Sequence, residues 1–450
     1  MTQLRLLSVD LFERHVTLRL PFRFGAATVT QCPQAFVRVQ IDAGGKRFEG
    51  ATAELMVPKW FDKTPALTHE QNFEQLRQAL RIAAQSYAST QDALSPYALS
   101  QSAGDAAIQA AVAHGLPRLA AQFGPALMDK AIADAALRAA GLGWVDGFKA
   151  NVLGDPFGST LNIVKPMTVA LRHTVGLADR LTGSDAGADP ADGLPATLEA
   201  AIPFYGLHHF KLKLSGELEA DLERLSRISA LLDAQTSDYR VTLDGNESFA
   251  DAQALGEFWQ ALAKAPQTTS LLKRTLLLEQ PLPRRIALEA PIASLGISVP
   301  VILDESDDHD GVLERGLALG YKGISSKACK GIYRAMHSAA RIAQDPKHLL
   351  LSGEDLTCQA GLAVQQDTLL AASLGITHIE RNGHHYVDGF GLAPELEAQS
   401  FAKAHASFYT TAQGRARLAV QAGQLDLTSL HAPGFASAAM PLWDSLQPIH

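Results

Sequence analysis

Short apolar segments recur along the second half of the chain, and a helical pattern follows each of them. This alternation begins near Thr168 and is typical of βα units, whose strands form a parallel sheet. The predicted strands are TVALRHTVG, HFKLKLSG, RVTLDGNES, TLLLEQPLP, VPVILDESD, GISSKACKG, LLLSGED and THIERNG. The helices predicted between them include EADLERLSRISALLDA, AQALGEFWQALAKA and AVQQDTLLAASLG.

The number of these strands predicts the fold class. Eight parallel strands with intervening helices close naturally into a (β/α)8-type, or modified TIM, barrel. A doubly wound open sheet is the competing α/β architecture. No GxGxxG turn follows a predicted strand, which argues against a dinucleotide-binding site of that kind.

The first part of the chain mixes helix and strand patterns. FVRVQID alternates, AGGK supplies a turn and RFEGATAE continues in extended form, which predicts a β-hairpin. The segment THEQNFEQLRQALRIAAQSYAS begins with a threonine cap and a glutamine at capping-box spacing. A second helix is predicted to begin at Pro125 and to end at Gly141.

These patterns predict an N-terminal α+β capping domain over residues 1–145 and a barrel domain over residues 146–400. The tail, about 401–450, is expected to hold one helix followed by loose, proline-containing chain, and part of it to join the capping domain. Residues 183–193 are rich in Gly, Asp, Ala and Pro, which predicts a surface insertion after the first barrel strand.

Composition narrows the classes of partner. The chain has 450 residues, of which 47% are hydrophobic, and a formal net charge of -8 without a block of basic residues. We therefore expect neither a nucleic acid nor a membrane as a partner. The three cysteines are far apart and odd in number, which suggests no disulfide framework or thiolate zinc site. The first residues lack a signal-peptide pattern, so we expect a cytoplasmic protein.

Acidic residues follow three successive apolar strands. Asp244, Glu279 and Asp304 come after VTL, LLL and VIL, and Glu305 comes next to the third acid. The C-terminal ends of barrel strands meet at one face, so these carboxylates should converge. Three anions at one point repel one another unless a cation joins them, and oxygen ligands favour Mg²⁺ or a similar hard ion.

Lysines flank these acids along the chain. Lys211 and Lys213 lie on the strand before the acids, and Lys327 follows the strand after them. A lone lysine at a strand end is more often solvated or ion-paired, but the pattern extends over five consecutive strands. We expect Lys213 and Lys327 to face each other across the cation. Nearby positive charge and partial burial would lower a lysine pKa, so that a neutral amine could act as a base.

Such a site suits the removal of a weakly acidic proton next to a carboxylate. The enediolate that forms carries two negative oxygens, which a hard cation stabilises. One lysine would take the proton, and the other would return a proton to the opposite face or protonate a leaving group.

At these residues the sequence resembles the enolase superfamily, within the mandelate racemase/muconate lactonizing enzyme group. The similar motifs are Lys211-Leu-Lys213, Asp244-Gly-Asn246, Glu279-Gln-Pro281, Asp304-Glu305-Ser306 and Lys327-Ala-Cys-Lys330-Gly331. The resemblance implies a metallo-enzyme that forms a homo-oligomer, a dimer or an octamer, and acts on a small carboxylate.

The resemblance also assigns roles to individual residues. It implies that Asp244, Glu279 and Asp304 bind one Mg²⁺, or alternatively Mn²⁺, with Glu305 as the alternative third ligand. Lys213 and Lys327 would be the acid/base pair. Lys211 would tune Lys213 or contact the substrate carboxylate.

A lysine on the sixth strand and no histidine in LLLSGED resemble the muconate lactonizing branch of the group. That branch includes cycloisomerases, o-succinylbenzoate synthases, N-acylamino acid racemases and dipeptide epimerases. The last of these usually show Asp-x-Asp after the eighth strand, where this chain reads HIERNGHHYVDG. The sequence therefore argues against a dipeptide substrate.

Substrate contacts are expected from the capping domain and from the strand ends. The specificity segments are expected near residues 22–26 and 53–61. The candidate contacts are Arg23, Asn246, Glu380 and Arg381. A structural role is favoured for His378, His384 and His385.

Other reactions stay open at the level of sequence. A lyase or dehydratase on the same scaffold would eliminate water from an acid sugar or hydroxy acid, or act like an o-succinylbenzoate synthase. A Schiff-base enzyme would use Lys213 or Lys327 as a nucleophile. A non-catalytic metabolite-binding protein is the remaining alternative.

Overall fold

A computed structural model describes residues 2–25, 27–236 and 238–450 of the chain. Ala26, which ends one expected specificity segment, lies outside the described residues. The N-terminal strands are β1 (Arg5–Phe24), β2 (Ala27–Ala43) and β3 (Lys46–Leu55). They form an antiparallel sheet, and the predicted hairpin between β2 and β3 is confirmed by a continuous register from Gln34 and Leu55 to Ala43 and Lys46.

Several helices follow this sheet along the chain, and the two longest of them pack against it. The helices are α1 (His69–Ala88), α2 (Pro96–Leu99), a π-helical turn (Ser100–Gly104), α3 (Asp105–Ala113), α4 (Arg118–Ala121), α5 (Phe123–Ala140) and α6 (Trp144–Lys149). The capping box at Thr68 and Gln71 is confirmed, because each side chain accepts a hydrogen bond from the backbone of the other. Helix α5 ends at Gly141, as predicted, but begins two residues before Pro125.

A closed ring of eight parallel strands forms the second part of the molecule. The strands are β4 (Thr168–Val175), β5 (His209–Lys213), β6 (Arg240–Asp244), β7 (Thr275–Glu279), β8 (Val301–Leu303), β9 (Gly323–Ser326), β10 (Leu350–Gly353) and β11 (His378–Arg381). Each strand pairs with the next, and β11 pairs in parallel with β4. The predicted barrel with its capping region is therefore confirmed, and an open sheet is wrong.

Helices follow the barrel strands. They are α7 (Leu198–Tyr205), α8 (Leu218–Gln235), α9 (Ala252–Lys264), α10 (Thr269–Lys273), α11 (Arg284–Ala287), α12 (Val312–Leu319), α13 (Ile332–Ile342), α14 (Leu362–Ser373), α15 (Gly383–Tyr386) and α16 (Glu395–Ala404). Within the described residues, no helix has the length and apolar character needed to cross a membrane.

The tail is folded, so the expectation of loose chain was wrong. Strands β12 (Tyr409–Ala412) and β13 (Arg415–Leu418) form a hairpin, β14 (Gln424–Asp426) pairs with β4, and β15 (Gln447–Pro448) pairs with β1. The short strands β14 and β15 gain their hydrogen bonds from strands distant in sequence, which a local pattern does not reveal. The tail thus contacts both the barrel and the N-terminal sheet, and the domain boundary at residues 145/146 stays a prediction.

Residues 183–193 form an irregular, mostly exposed segment between β4 and α7, as predicted. Asp192 nevertheless pairs with Arg19 of β1, at 2.5 Å from its Nε and 3.0 Å from its Nη2. The insertion therefore ties the barrel to the capping region.

A buried carboxyl in the capping region should make stability depend on pH. Burial raises the pKa of Asp129 to about 7, although the hydroxyls of Tyr87 and Ser100 each donate to it at 2.7 Å. The pKa of this carboxyl is higher in the folded protein than in the unfolded chain. The free energy of unfolding should therefore fall as pH rises from about 4 to about 7. An asparagine side chain does not ionise, so the variant Asp129→Asn should not share this fall. Its free energy of unfolding relative to the parent protein should therefore be about 2 kcal/mol more favourable at pH 8 than at pH 5.

Urea unfolding at the two pH values measures this difference. Asp92→Asn, at an exposed carboxyl, is the control and should show no such change. An equal effect of Asp129→Asn at both pH values would contradict the prediction.

Candidate active site

The two lysines of β5 point into the barrel. In the segment HFKLKL, Phe210 and Leu212 lie on the face of the strand that is turned to the surrounding helices. Lys211 and Lys213 lie on the opposite face, inside the barrel. Both lysines are buried, at 0% and 7% exposure. The register sets Lys213 beside Asp244 and Asp244 beside Glu279, so these three side chains share the C-terminal edge of the barrel.

Lys211 lies at the centre of a cluster of carboxylates. Its Nζ is 2.5 Å from Glu354 Oε2, 2.7 Å from Glu279 Oε2, and 2.9 Å from both Asp244 Oδ2 and Glu380 Oε2. Burial acts to lower the pKa of Lys211, but the four carboxylates outweigh it and raise the pKa well above its usual value. The four carboxylates therefore favour the protonated form of Lys211.

Glu279 is the least satisfied of these acids. An ammonium has three N–H donors, and Lys211 donates to Glu354 and Glu380. Neither oxygen of Glu279 accepts a hydrogen bond from any described residue. Burial, together with Asp244, Glu354 and Asp304, raises the pKa of Glu279 well above its usual value. Such a carboxylate fits a ligand of a hard cation, because it needs positive charge that hydrogen bonds do not supply.

Asp244 and Asp304 are held by lysines. Lys213 Nζ lies 2.6 Å from Asp244 Oδ2, and Lys327 Nζ lies 2.6 Å from Asp304 Oδ2. Burial acts to raise the pKa of both acids, but the neighbouring ammonium groups lower it below the usual value. Lys330 adds a weaker contact of 3.4 Å to Asp304.

Within the described ranges, no group of three or more His, Cys, Asp or Glu side chains has the geometry of a preformed metal site. The donor chemistry nevertheless fits one, since one buried oxygen of Glu305 has no hydrogen bond and the two buried oxygens of Glu279 have only the 2.7 Å ion pair with Lys211. The other oxygen of Glu305 accepts from Asn246 Nδ2 at 3.0 Å, and Lys63 lies 3.9 Å away.

Lys213 and Lys327 border one small cavity, of about 20 Å³, from opposite sides of the barrel. Their strands, β5 and β9, are four positions apart in the ring of eight. Aromatic rings of the capping region cover both ammonium groups. Lys213 Nζ is 5.8 Å from the Phe22 ring and 6.0 Å from the Phe24 ring, and Lys327 Nζ is 4.3 Å from the Trp60 ring.

The expected lowering of a lysine pKa is wrong for Lys327 in this structure. Burial acts in that direction, but the ionised Asp304 at 2.6 Å outweighs it and raises the pKa of Lys327 above its usual value. The charge of Asp304 therefore favours the protonated form of Lys327.

The expected substrate contacts divide into two pairs. Asn246 and Glu380 line the cavity. Arg381 does not, because its guanidinium turns away to Asp367 at 2.7 Å and to Asp355 at 3.3 Å. Arg23 is exposed, since strand alternation turns it outward between the inward-facing Phe22 and Phe24. Arg23 and Arg381 therefore lie outside the lining of this cavity.

The three histidines near the eighth strand lie outside the lining of this cavity. His378 Nδ1 lies 2.9 Å from Arg172 Nη1, and the His378 ring stacks on His209. His384 and His385 are buried and contact the ring of His173. Burial lowers the pKa of both well below the usual value, which keeps them neutral and favours the structural role.

Sequence reasoning missed four residues of the site. Glu354 pairs with Lys211 and also with Arg172, a buried arginine on β4. Asp355 and Asn382 line the cavity. Glu354 follows the apolar strand LLLSG, so the rule that found the other acids would have found it as well. Arg172 gave a signal too, as a charged residue inside an apolar strand.

The sequence matches no protein-family model and no curated protein. Solved structures do match. A 2-chloromuconate cycloisomerase from Rhodococcus opacus 1CP superposes with a TM-score of 0.63 at 17% identity, over 97% of each chain. A member of the enolase superfamily from Roseovarius nubinhibens ISM gives 0.61 at 17% identity, over 99% of each chain. The fold is that of the enolase superfamily.

A dipeptide epimerase from Enterococcus faecalis V583, complexed with Mg and L-Leu-L-Tyr, also matches. Its TM-score is 0.60 at 17% identity, over 96% of this chain and 99% of the epimerase. Another neighbour, from Roseovarius nubinhibens ISM, is named a mandelate racemase/muconate lactonizing enzyme and matches with a TM-score of 0.60 at 16% identity, over 99% of this chain and 98% of its own. At such low identity the enolase-type fold is shared, and the chemistry has to be argued from this chain's own residues.

Lys211→Met tests whether the barrel depends on its central cation. The change keeps the length of the side chain but leaves four buried carboxylates without their shared ammonium. Removing one partner of a buried ion pair typically costs about 3–5 kcal/mol, and we expect a loss of at least that size. Urea unfolding at pH 7 gives the value. Lys322→Met, at an exposed lysine, is the control, and a loss as small as that of the control would contradict the prediction.

Proposed function

We propose that the chain is a divalent-cation-dependent enzyme that removes the proton α to a substrate carboxylate and forms an enediolate. A racemase, epimerase or cycloisomerase is the outcome that the site supports best. The observation that carries the proposal is the opposition of Lys213 and Lys327 across one small cavity, beside the carboxylates at the strand ends.

The opposed lysines suit a reaction on both faces of a planar intermediate. One lysine, as a neutral amine, takes the proton from its side of the α-carbon. The other, as an ammonium, delivers a proton to the opposite face or to a leaving group. The aromatic rings above them keep water from the exchanging proton, so that the proton is returned by the protein.

Asp244, Glu279 and Asp304 would hold a divalent cation, for which Mg²⁺ is the first candidate and Glu305 the alternative third ligand. When bound, the cation would supply positive charge for the enediolate oxygens and neutralise the acids that now hold Lys213 and Lys327. Lys211 stays within the acid cluster and sets its total charge. Its four carboxylate neighbours make it a positioning residue.

A lyase on the same scaffold is the second candidate, and the lysine arrangement favours it less. An elimination needs one base and a separate group that protonates the leaving hydroxide. Opposed and chemically identical groups are the arrangement that an inversion of configuration uses on both substrate enantiomers.

Proton exchange in D₂O, followed by ¹H NMR, tests the proposal. Pooled N-acylamino acids, dipeptides, acid sugars and muconate-like diacids would be incubated with the protein in Mg²⁺ and in EDTA. We expect loss of one α-proton signal in Mg²⁺ only. Lys213→Ala and Lys327→Ala should each reduce turnover about 100- to 10,000-fold, the usual contribution of a positioned acid or base.

Lys322→Ala is the matched control, as an exposed lysine that should leave exchange unchanged. Full turnover in either cavity variant would contradict the two-base mechanism. Exchange with elimination of water would favour the lyase. Trapping of substrate on Lys213 or Lys327 by borohydride, without a need for metal, would favour the Schiff-base reaction.

A further inference from the structure

The aromatic cover of the cavity has two halves, which come from different parts of the capping region. Phe22 and Phe24, at the end of β1, lie over Lys213. Trp60, in the connection after β3, lies over Lys327. The space beneath the rings is small, about 20 Å³, so a molecule larger than water reaches either lysine only when the rings move. The contacts that hold each half therefore control the access to one lysine.

The β1 half is only partly held by its own sheet. Thr17 pairs with Gln31 and Phe22 pairs with Val29, so five steps along β1 match only two steps along β2. Residues 18–21 therefore bulge out of the register of the hairpin, directly before the two rings. Contacts outside the sheet have to fix the position of this segment and of the side chains that follow it.

Arg19, in the middle of this bulge, makes those contacts. Its Nε donates to Asp192 Oδ2 at 2.5 Å, and its Nη2 donates to Asp192 Oδ1 at 3.0 Å. Its other hydrogen bonds are to backbone carbonyls, from Nη2 to Leu194 at 3.1 Å and from Nη1 to Pro195 at 3.2 Å and to His385 at 2.8 Å. All five N–H donors of the guanidinium are thus used, and the side chain is only 5% exposed.

Asp192 is itself fixed in place. It lies in the insertion, residues 183–193, and its backbone carbonyl accepts from Arg417 Nη2 of β13 at 2.8 Å. Its Oδ1 also accepts from the backbone N–H of Leu194 at 3.0 Å. A bidentate pair between an arginine and a carboxylate is strong and directional, so a fixed Asp192 also fixes the bulge of β1.

Two further contacts attach the end of β1 to the barrel. The ring of Phe22 lies 4.5 Å from the ring of Tyr386, and the backbone N–H of Leu177 donates to the carbonyl of Arg23 at 3.0 Å. Loss of the pair between Arg19 and Asp192 should therefore loosen this half of the cover without releasing it.

The Trp60 half is held by a different arginine. Arg284, the first residue of α11, donates to the carbonyl of Trp60 at 2.8 Å and to that of Phe61 at 3.1 Å. Its guanidinium is fixed in turn by Glu247, at 2.9 Å from its Nε and 2.8 Å from its Nη2. The two halves of the cover are thus attached to the barrel at separate places.

We propose that the insertion is a latch for one half of the cover. The pair between Arg19 and Asp192 positions the two rings over Lys213, and these rings open independently of the ring on the other side. Arg19 and Asp192 are then positioning residues that control access to one of the two lysines. This role concerns entry to the cavity, and it holds whatever reaction the cavity supports.

Trace acetylation with acetic anhydride at pH 8 tests the latch, because only a lysine that the reagent reaches is modified. Tandem mass spectrometry gives the rate at each lysine. Asp192→Ala removes both side-chain acceptors of the latch and leaves the backbone carbonyls that hold Arg19. We expect acetylation of Lys213 to rise about 10- to 100-fold, the effect of losing charge-assisted hydrogen bonds, while that of Lys327 stays unchanged.

Two variants of Asp192 and its neighbourhood separate the latch from a general loosening of the insertion. Asp192→Asn keeps one acceptor oxygen for Arg19, so it should give an intermediate rise at Lys213, and it replaces Asp192→Ala if that variant fails to fold. Asp189→Ala is the matched control, because it removes an exposed acid of the same insertion whose partner is Arg180. It should change neither rate.

Arg284→Lys tests the other half of the cover. It keeps a positive charge beside Glu247 but has no fork to bridge the carbonyls of Trp60 and Phe61, so it should raise the rate at Lys327 alone. A rise at both lysines in this variant or in Asp192→Ala would overturn the proposal, because the cover would then move as one body.

An unchanged rate at Lys213 in Asp192→Ala or, should that variant not fold, in Asp192→Asn would also overturn it. A rise at Lys213 in Asp189→Ala as large as in Asp192→Ala would contradict the assignment of the latch to the pair between Arg19 and Asp192.

Discussion

The contact between Lys211 and four carboxylates is the interaction on which the barrel depends. The carboxylates come from β6, β7, and the ends of β10 and β11, so one ammonium joins strands on both sides of the ring. Buried acids repel one another strongly at low dielectric, and a closed barrel brings them together. The central cation allows the strands to keep the register that places the acids at one edge.

The same strand provides a second lysine with a different environment. Lys213 lies two residues beyond Lys211, about 6.6 Å along the strand, where it reaches the cavity. Lys211 is surrounded by acids, whereas Lys213 contacts one acid and lies under two aromatic rings. Different positions along one face of the strand therefore give the two lysines different roles: one compensates buried charge, and the other is placed for the proposed proton transfer.

Most of the barrel could be predicted from sequence because its strands are short apolar runs with acids at their ends. The same rule covered Asp244, Glu279 and Asp304. It did not reveal that Arg23 is exposed on β1 or that Arg381 pairs with Asp367, because the direction of a side chain depends on which face of the strand is covered. It also failed for the tail, whose polar strands β14 and β15 pair only with distant strands. The partners of Glu354 and Lys211 were hidden for the same reason, since they meet across the ring.

The aromatic cover leaves little free space over a site that is rich in charge. A cavity of about 20 Å³ holds one water molecule and no carboxylate substrate, so Phe22, Phe24 and Trp60 must move when a substrate enters. Phe22 and Phe24 lie next to Gly25 at the end of β1, and Trp60 lies in the connection after β3, so both sides of the cover come from chain outside the barrel. The barrel can therefore keep its charged network rigid while the cover adapts. Closure of the rings over a bound substrate would exclude water from the lysines at the step where a neutral amine has to be preserved.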